Sequence, residues 1–275
     1  MQNAFTVDVE EWFHICGVEA LAPPVWDQLP SRVHLTTHLL LEELARADVT
    51  ATFLFVGWVA DRYPDLVEEV LRAGHCVGSH SFWHRHVFNL TADVFEVDLK
   101  TSLRALRDAG AHDVRSFRAP EWSINESSLW AFEVLARNGI KVDASMAPVS
   151  LVGNPRRSRS PHVRSTAAGP VWEMPPLVAD RFGQVMPIGW GWGLRMSSPG
   201  RLLRTIDGEN RLGRPAVLTI HPWELDPDPP RVQLPWRLRF SHYFRLSGFV
   251  GRLREVLRQG RFAPLETVAA PFIAQ

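Results

Sequence analysis

Two acidic side chains alternate with apolar ones close to the start of the chain. Residues 6–11 are Thr-Val-Asp-Val-Glu-Glu, and they overlap the apolar run from Ala4 to Val9. Side chains alternate along a strand, so Asp8 and Glu10 would share one face. Burial of two carboxylates is costly unless a cation compensates them. The segment predicts either a metal site at a strand end or a strand that emerges into water.

Two histidines lie four residues apart in the segment 80–84, His-Ser-Phe-Trp-His. If this segment forms a helical turn, His80 and His84 lie on one side and can bind one divalent metal ion. The spacing alone is common by chance. With a carboxylate from Asp8 or Glu10, however, the set has three protein ligands and an open position for water, as in catalytic metal sites.

A third polar segment, Arg118-Ala119-Pro120-Glu121-Trp122, follows the strand-like run 114–117. An arginine at a strand end can pair with a carboxylate and alter its pKa. Pro120 would stiffen the turn and leave the next backbone N–H able to point into a site. A surface salt bridge is the alternative.

A fourth polar segment, His221-Pro222-Trp223-Glu224, follows the apolar run 216–220. His221 is a candidate general acid because imidazole titrates near neutral pH. A capping or core histidine is the alternative.

Alternating strand-like and helical segments must position these residues. Apolar runs of strand length alternate with segments of helical periodicity and capping, which predicts βαβ units and a parallel sheet or barrel. Residues 146–169 are rich in Pro, Ser and Arg and predict a long excursion of the kind that carries substrate contacts. The predicted strands are 4–9, 51–56, 75–79, 114–117, 140–142 and 216–220, and the predicted helices are 33–47, 64–74, 91–109, 125–138, 199–212 and 249–258.

The composition is that of a globular protein. The 275 residues contain 30 Lys+Arg and 30 Asp+Glu, and this balance argues against a dedicated nucleic-acid binder. No apolar run reaches the roughly 18 residues of a membrane span, and the first ten residues lack the features of a signal peptide. Cys16 and Cys76 are too few for a disulfide scaffold. We therefore expect a cytoplasmic protein with reduced thiols.

Arginine is concentrated in two segments. Residues 151–165 carry four Arg and no acid, and residues 231–261 carry eight Arg and one acid. The simpler interpretation is a solvated surface. The alternative is a contact for an anionic glycan, a lipid-linked substrate or the inner face of the membrane, with peripheral association there.

The order of the polar segments resembles that of the polysaccharide deacetylases with a NodB-homology domain, a family of metal-dependent carbohydrate esterases. The opening segment also looks like that of the subgroup found with exosortase-type exopolysaccharide clusters, Thr-Val-Asp-Val-Glu-[Asp/Glu]-[Trp/Tyr]-Phe. The resemblance covers nearly the whole chain and runs through residues 6–13, 80–84, 118–120, 143–148, 172–175, 221–224 and 240–268.

The resemblance implies an α/β fold, a distorted and incomplete (β/α) barrel, with one divalent metal ion, Zn²⁺ by default. By the same resemblance, Asp8 matches the general base and Arg118 the residue that pairs with it. The metal ligands fall on Glu10, His80 and His84.

The resemblance also implies the groups that act on the substrate. His221 matches the catalytic acid, and Asp143 falls at the motif that orients it. The backbone N–H of Glu121 falls where the family supplies an oxyanion donor. Tryptophans at the rim, Trp122 and Trp223 among them, could stack on sugar faces, although core packing is the more common role of a tryptophan.

Two departures from the family pattern affect these expectations. Many members have adjacent Asp-Asp in the first motif, whereas here Val9 separates Asp8 from Glu10. The fourth motif usually has two Asp and a Trp, and only Asp143 is present here. The orienting role is therefore less well supported by the motif than the metal ligands are.

We expect a metal-dependent hydrolase that removes N-acetyl groups from amino sugars of a polysaccharide or its precursor. We also expect a NodB-homology domain over residues 1–230 and a helical extension over 231–275 packed on the same domain. A related amidohydrolase of small non-sugar amides is one alternative, because fold and metal site do not fix the substrate. A non-catalytic glycan-binding protein is the other.

Overall fold

A sheet of nine strands forms the centre of the molecule. The structure is a computed structural model, and it describes residues 1–150, 152–181 and 183–274. The strands of the sheet are β1 (Asn3–Val9), β2 (Thr52–Phe55), β3 (Cys76–Ser79), β4 (Ser116–Phe117), β5 (Val142–Asp143), β6 (His162–Arg164), β7 (Val171–Glu173), β10 (Val217–Ile220) and β11 (Phe262–Ala263), while β8 (Val178–Arg181) and β9 (Gln184–Pro187) form a separate hairpin.

The sheet is parallel except at one edge. Its order is β10-β1-β2-β3-β4-β5-β7-β6, with β11 also paired to β1, and only β6 and β7 are antiparallel. Within the described ranges no strand ladder joins β6 to β10. The backbone N–H of Leu177 donates to Val217 O (3.1 Å), and that of Thr219 donates to Gly189 O (2.6 Å). These bonds bring Leu177 and Gly189 against β10 on the open side, so the α/β fold with an incomplete barrel is confirmed.

Ten helices surround the sheet in the described residues. In the first strand, buried side chains alternate across both faces, as expected for a parallel strand covered on two sides. The helices are α1 (Val33–Arg46), α2 (Gly57–Arg62), α3 (Pro64–Arg72), α4 (Ala92–Asp108), α5 (Ala131–Arg137), α6 (Gly191–Met196), α7 (Pro199–Arg211), α8 (Trp236–Tyr243), α9 (Phe249–Gln259) and α10 (Leu265–Ile273).

Local signals explain where several helices begin. Pro64 occupies the first turn of α3, where its missing N–H is not needed, and Leu66 and Val70 form the buried side of that helix. The Thr91 side chain accepts a hydrogen bond from the Val94 backbone N–H at the start of α4 (3.4 Å). Both helices follow the sequence prediction.

Two predicted segments differ from the structure. The helix expected after Asn125 is a short 3₁₀ turn, Glu126–Ser128, followed by α5. The Asn125 carboxamide accepts the Ser127 N–H (2.9 Å), and this capping bond holds the 3₁₀ turn. The expected excursion 146–169 contains the edge strand β6, which pairs with β7.

Among the residues that the structure describes, no helix combines the length and apolar composition needed to cross a membrane.

Candidate active site

The polar motifs converge at the carboxyl ends of the parallel strands. His80 follows β3, Arg118 follows β4 and His221 follows β10 directly, while Glu10 follows β1. In parallel barrels this edge carries the functional groups, because the loops that leave the strands meet there. These side chains, together with those of Asp8 and His84, line a cavity of about 710 Å³.

Glu10, His80 and His84 form a buried cluster at the floor of the cavity. Glu10 Oε1 lies 3.0 Å from Nε2 of His80 and 3.0 Å from Nε2 of His84. Burial alone would raise the pKa of Glu10, but the charges of His84 and His221 outweigh it and hold that pKa well below its usual value. The cluster is therefore an anionic oxygen facing two ring nitrogens.

The donor set of this cluster fits a divalent metal ion. Its three ligand atoms lie within 4.8 Å of one another. His80 Nδ1–H donates to the carbonyl oxygen of Arg118 (2.7 Å), which fixes the tautomer with a free lone pair on Nε2. Two imidazole nitrogens and one carboxylate oxygen are common zinc ligands.

The sequence spacing suggested that His80 and His84 share a helical turn. In the structure this segment is not helical. Ser81 and His84 have left-handed backbone angles, with φ of 61° and 49°. The Asp98 carboxylate of α4 accepts the backbone N–H groups of Phe82 (2.6 Å) and Trp83 (3.3 Å). Because these bonds replace helical ones, the segment is a bend that directs both rings toward Glu10.

Asp8 forms a buried ion pair with Arg118. Arg118 Nη1 donates to Asp8 Oδ1 (2.6 Å), and its Nε donates to the Ala144 carbonyl (3.1 Å). The other carboxylate oxygen, Asp8 Oδ2, lies 3.9 Å from His80 Nε2. Asp8, Glu10 and His221 also have ligand atoms within 4.8 Å of one another. Arg118 already occupies one oxygen of Asp8, which makes Asp8 a poorer metal ligand than Glu10.

His221 lies on the other side of Glu10 and is held by a second carboxylate. Its Nδ1–H donates to Glu224 Oε2 (3.2 Å), and its Nε2 lies 3.9 Å from Glu10 Oε1. Burial opposes the charged ring, but Glu10 and Glu224 outweigh burial and raise the pKa of His221 to about 9. The protonated ring is therefore favoured at neutral pH.

Sequence reasoning missed the group that holds Glu224. Arg195 of α6 places its Nε 3.0 Å from Glu224 Oε1, and its Nη1 donates to the Phe244 carbonyl (2.9 Å). Arg195 is 3% exposed. Burial would raise the pKa of the Glu224 carboxyl, but the charges of Arg195 and His221 outweigh burial and lower it. The spacing of His221 and Glu224 could have indicated the pair, whereas no local pattern points to Arg195.

The side chain of Asp143 bonds to Ser145, and the ring of His221 bonds to Glu224 instead. Asp143 ends β5, and its carboxylate accepts the backbone N–H (3.1 Å) and the hydroxyl (2.6 Å) of Ser145. Burial, together with the charge of Asp143, raises the pKa of the neighbouring Glu173 carboxyl well above its usual value. Glu224, and not Asp143, bonds to the ring of His221, because Glu224 lies on the same turn as the histidine.

The turn after Arg118 contains a backbone N–H that lacks a hydrogen-bond partner in the described part of the chain. Glu121 and Trp122 have left-handed backbones, with φ of 50° and 53°. Among the described residues no acceptor bonds to the Glu121 backbone N–H. Its carboxylate accepts a hydrogen bond from His86 Nε2 (2.9 Å).

Tryptophans form much of the cavity wall. Trp122 and Trp223 are more than nine-tenths buried, and the ring of Trp223 lies between His221 (5.5 Å between centroids) and His242 (4.3 Å). Trp236, on α8, is 73% exposed at the mouth. The tryptophans that line the cavity are Trp12, Trp122, Trp190, Trp192, Trp223 and Trp236.

Comparison with protein families divides the chain into two parts. Residues 25–141 match the family described as "Polysaccharide deacetylase", and residues 144–270 match a domain of unknown function, DUF3473. The first part contains both histidines of the cluster, and the second contains His221 and Glu224. Asp8, Glu10 and Asp143 lie outside both matches.

Several curated relatives are named as deacetylases of N-acetylated glycans. A chitooligosaccharide deacetylase of Azorhizobium caulinodans is 25% identical over 47% of this chain and 58% of its own length. A peptidoglycan-N-acetylglucosamine deacetylase of Bacillus cereus is 26% identical over 35% of this chain and 36% of its own. The chain thus matches less than two thirds of the length of these relatives.

Solved structures match over almost the whole chain. A Mycobacterium smegmatis protein assigned to the polysaccharide deacetylases has a TM-score of 0.67 at 20% identity, and the match covers 99% of this chain and 90% of that one. The family 4 carbohydrate esterase of Streptomyces lividans, in complex with acetate, has a TM-score of 0.52 at 16% identity, covering 96% and 91%. The chain therefore has the fold of the family 4 carbohydrate esterases, and its residues 25–141 match the polysaccharide deacetylase family.

Proposed function

We propose that the protein is a metal-dependent hydrolase that removes N-acetyl groups from amino sugars of a polysaccharide or its precursor. The observation that carries the proposal is the buried cluster of Glu10, His80 and His84, flanked by Asp8 on one side and His221 on the other. Relatives named as chitooligosaccharide and peptidoglycan deacetylases support the same activity.

Glu10, His80 and His84 are the proposed metal ligands, and Zn²⁺ is the proposed ion. Three protein ligands of this kind leave room for water or substrate. When bound, such an ion supplies Lewis-acid chemistry, because it withdraws electrons from a water or carbonyl oxygen.

Asp8 is the proposed general base. Its Oδ1 is fixed by Arg118 at 2.6 Å, while Oδ2 is directed toward the cluster, 3.9 Å from His80 Nε2. A carboxylate held in this way can accept a proton from water as that water attacks the acetamide carbonyl. Arg118 positions the carboxylate through this ion pair.

The backbone N–H of Glu121 is the proposed oxyanion donor. It belongs to the left-handed turn at the cavity wall and has no acceptor among the described residues. A preorganised donor stabilises negative charge that develops in the transition state, by about 3 kcal/mol in measured cases.

His221 is the proposed acid that protonates the leaving amine. The neighbouring Glu10 and Glu224 raise its pKa to about 9, so its ring carries the proton that must be delivered. Glu224 positions the ring through Nδ1, and Arg195 in turn neutralises Glu224. We assign to Glu224 the orienting role that the sequence suggested for Asp143.

The proposed substrate is an N-acetylated glycan. The aromatic wall of the cavity favours sugars, because the apolar faces of pyranose rings pack on aromatic rings. Trp122 and Trp223 are proposed substrate contacts through their cavity-facing edges. The opening segment of the chain suggests an exopolysaccharide precursor as the physiological glycan.

The proposed location is the cytoplasm, where both free cysteines, Cys16 and Cys76, would remain reduced.

We also propose that residues 231–275 are an extension of the domain formed by residues 1–230. In support, β11 pairs with β1, and Leu253 and Val256 of α9 are fully buried.

Acetate release tests the substrate class. Purified protein is incubated with N-acetylglucosamine oligomers, with N-acetylated lipid-linked sugars, and with cyclic amides and ureides. We expect the protein to release acetate from the N-acetylated glycans and to leave the cyclic amides and ureides unchanged. Turnover of the non-sugar amides alone would replace the proposal with an amidohydrolase, and glycan binding without acetate at full metal occupancy would replace it with a binding protein.

A further inference from the structure

A second group of potential metal ligands lies at the rim of the cavity. Cys16, His86 and Glu121 come from three separate segments, and their ligand atoms lie within 4.8 Å of one another. His86 Nε2 and Glu121 Oε2 are 2.9 Å apart. The convergence of a sulfur, an imidazole nitrogen and a carboxylate oxygen at one point is the composition of a site for a thiophilic divalent cation.

We propose that Cys16, His86 and Glu121 bind a second divalent cation of the zinc class, separate from the ion of the buried cluster. The Glu121 side chain is 49% exposed and that of His86 is 22% exposed, so an ion can enter from solvent. Three ligands leave the fourth tetrahedral position open to water.

The two sites lie on opposite edges of one imidazole. The Cys16 sulfur is 3.5 Å from His84 Nδ1, whereas His84 Nε2 faces Glu10 at 3.0 Å. Since the two ring nitrogens point away from each other, a cation bound to the Cys16 sulfur is not the cation bound to His84 Nε2. The sulfur also contacts the backbone oxygen of His84 (3.2 Å), which holds it in place beside the rim.

The donor atoms distinguish the second site from the first. The buried cluster offers one oxygen and two nitrogens, whereas the rim site includes the thiolate of Cys16. Cobalt(II) bound to a thiolate shows an intense charge-transfer absorption in the near ultraviolet, and cobalt(II) bound only to nitrogen and oxygen does not. Cobalt therefore reports which site is filled.

The test is a titration of metal-free, reduced protein with Co²⁺, followed by absorption and by the number of ions bound. We expect two ions per chain, with the thiolate band rising in proportion to the rim ion. Cys16→Ser should lose the band and one ion. His86→Gln should weaken the band, and it provides a second test if Cys16→Ser folds poorly.

Two control variants complete the design. Cys76→Ser removes the other thiol of the chain and should keep the full band. His80→Ala should lose the ion of the buried cluster and keep the thiolate band, so failure of the deacetylase proposal is distinguishable from failure of this one. A band that persists in Cys16→Ser, or two bound ions with no band at all, would overturn the rim site.

Discussion

At the scale of single residues, the ionisable side chains of the cavity differ in their partners. Glu10, His80 and His84 converge on one point, whereas Asp8 has one oxygen bound to Arg118. The carboxylates of Asp8 and Glu10 therefore have different environments, although they lie only a few ångströms apart. Substitutions should separate metal binding from catalysis.

The first prediction concerns Asp8. Asp8→Asn should retain the metal ion, because the three ligands remain, while the rate of acetate release falls by about 10²–10⁴, the range of general acid–base catalysis. Bound metal is measured by elemental analysis alongside activity. His84→Ala is the matched variant and should lose the ion of the buried cluster and the activity together. Loss of metal from Asp8→Asn would make Asp8 a ligand.

The second prediction concerns pH. As the proposed acid, His221 must be protonated, so we expect activity to be lost as pH rises through its pKa, which Glu10 and Glu224 raise. Glu224→Gln removes one of these two charges, and the alkaline limb of the profile of kcat/KM should move to lower pH by about one unit or more. A uniform loss of rate at every pH would indicate a structural role only.

A control carboxylate is available for this measurement. Glu126 is paired with the guanidinium of Arg157 and does not line the cavity. Glu126→Gln should leave the alkaline limb unchanged. A shift in the control equal to that of Glu224→Gln would contradict the local explanation.

At the scale of elements, strands β1–β5 and β10 were predictable because each is a short, apolar run followed by polar residues. Asp8, His80, Arg118 and His221 could be assigned to one edge of the sheet for this reason. Arg195 could not, because it lies on α6, far from His221 in sequence, and its role arises only from tertiary packing. Propensity and periodicity report local structure, whereas such contacts depend on the whole chain.

The bend at His80–His84 could not be predicted either. Periodicity describes regular elements, and this segment takes its shape from the Asp98 carboxylate on a different helix. The short strands β6 and β7 and helix α6 fall below the length at which a sequence pattern is distinctive. The convergence of Glu10, His80 and His84 was therefore predicted, but the backbone conformation that presents the two histidines was not.

Helix α6 provides the third prediction. A Cβ at Gly191 would collide with the Glu224 carboxylate, so Gly191→Ala should displace that carboxylate from His221. We expect a large loss of kcat together with destabilisation of about 1–3 kcal/mol, the cost typical of overpacking. The measurements are steady-state kinetics and denaturant unfolding.

Gly208 of α7 is the matched control. A Cβ there meets nothing within 4 Å, so Gly208→Ala should leave kcat unchanged and stabilise the helix by about 0.4–1 kcal/mol. Unchanged activity in Gly191→Ala would show that the close approach of α6 to Glu224 does not matter for catalysis.

At the scale of the whole molecule, charge is balanced in total but not in distribution. Within the first arginine-rich segment, Arg157 is paired with Glu126 and Arg159 with Asp180, each at 2.7 Å. In the second segment, α8 carries Arg237 and Arg239 beside the exposed rings of Trp236 and Phe240. Helix α8 therefore presents basic and aromatic side chains together at the cavity mouth.

The fourth prediction is that this helix brings the protein to an anionic membrane surface. Flotation with anionic vesicles should show binding at low salt that weakens at high salt, since each basic residue adds about 1 kcal/mol near such a surface. Trp236→Ala should weaken flotation, whereas Val97→Ala, which removes an exposed apolar side chain from α4, should not. Absence of salt-sensitive binding would leave these arginines as ordinary solvated surface.

The most direct test of the central claim is the metal dependence of acetate release. Chelator-treated protein is titrated with Zn²⁺ while bound zinc and acetate from N-acetylglucosamine oligomers are measured in the same samples. We predict no release without metal, full release when the cluster of Glu10, His80 and His84 is filled, and no recovery in His84→Ala at any zinc concentration. Full acetate release from metal-free protein would contradict the account.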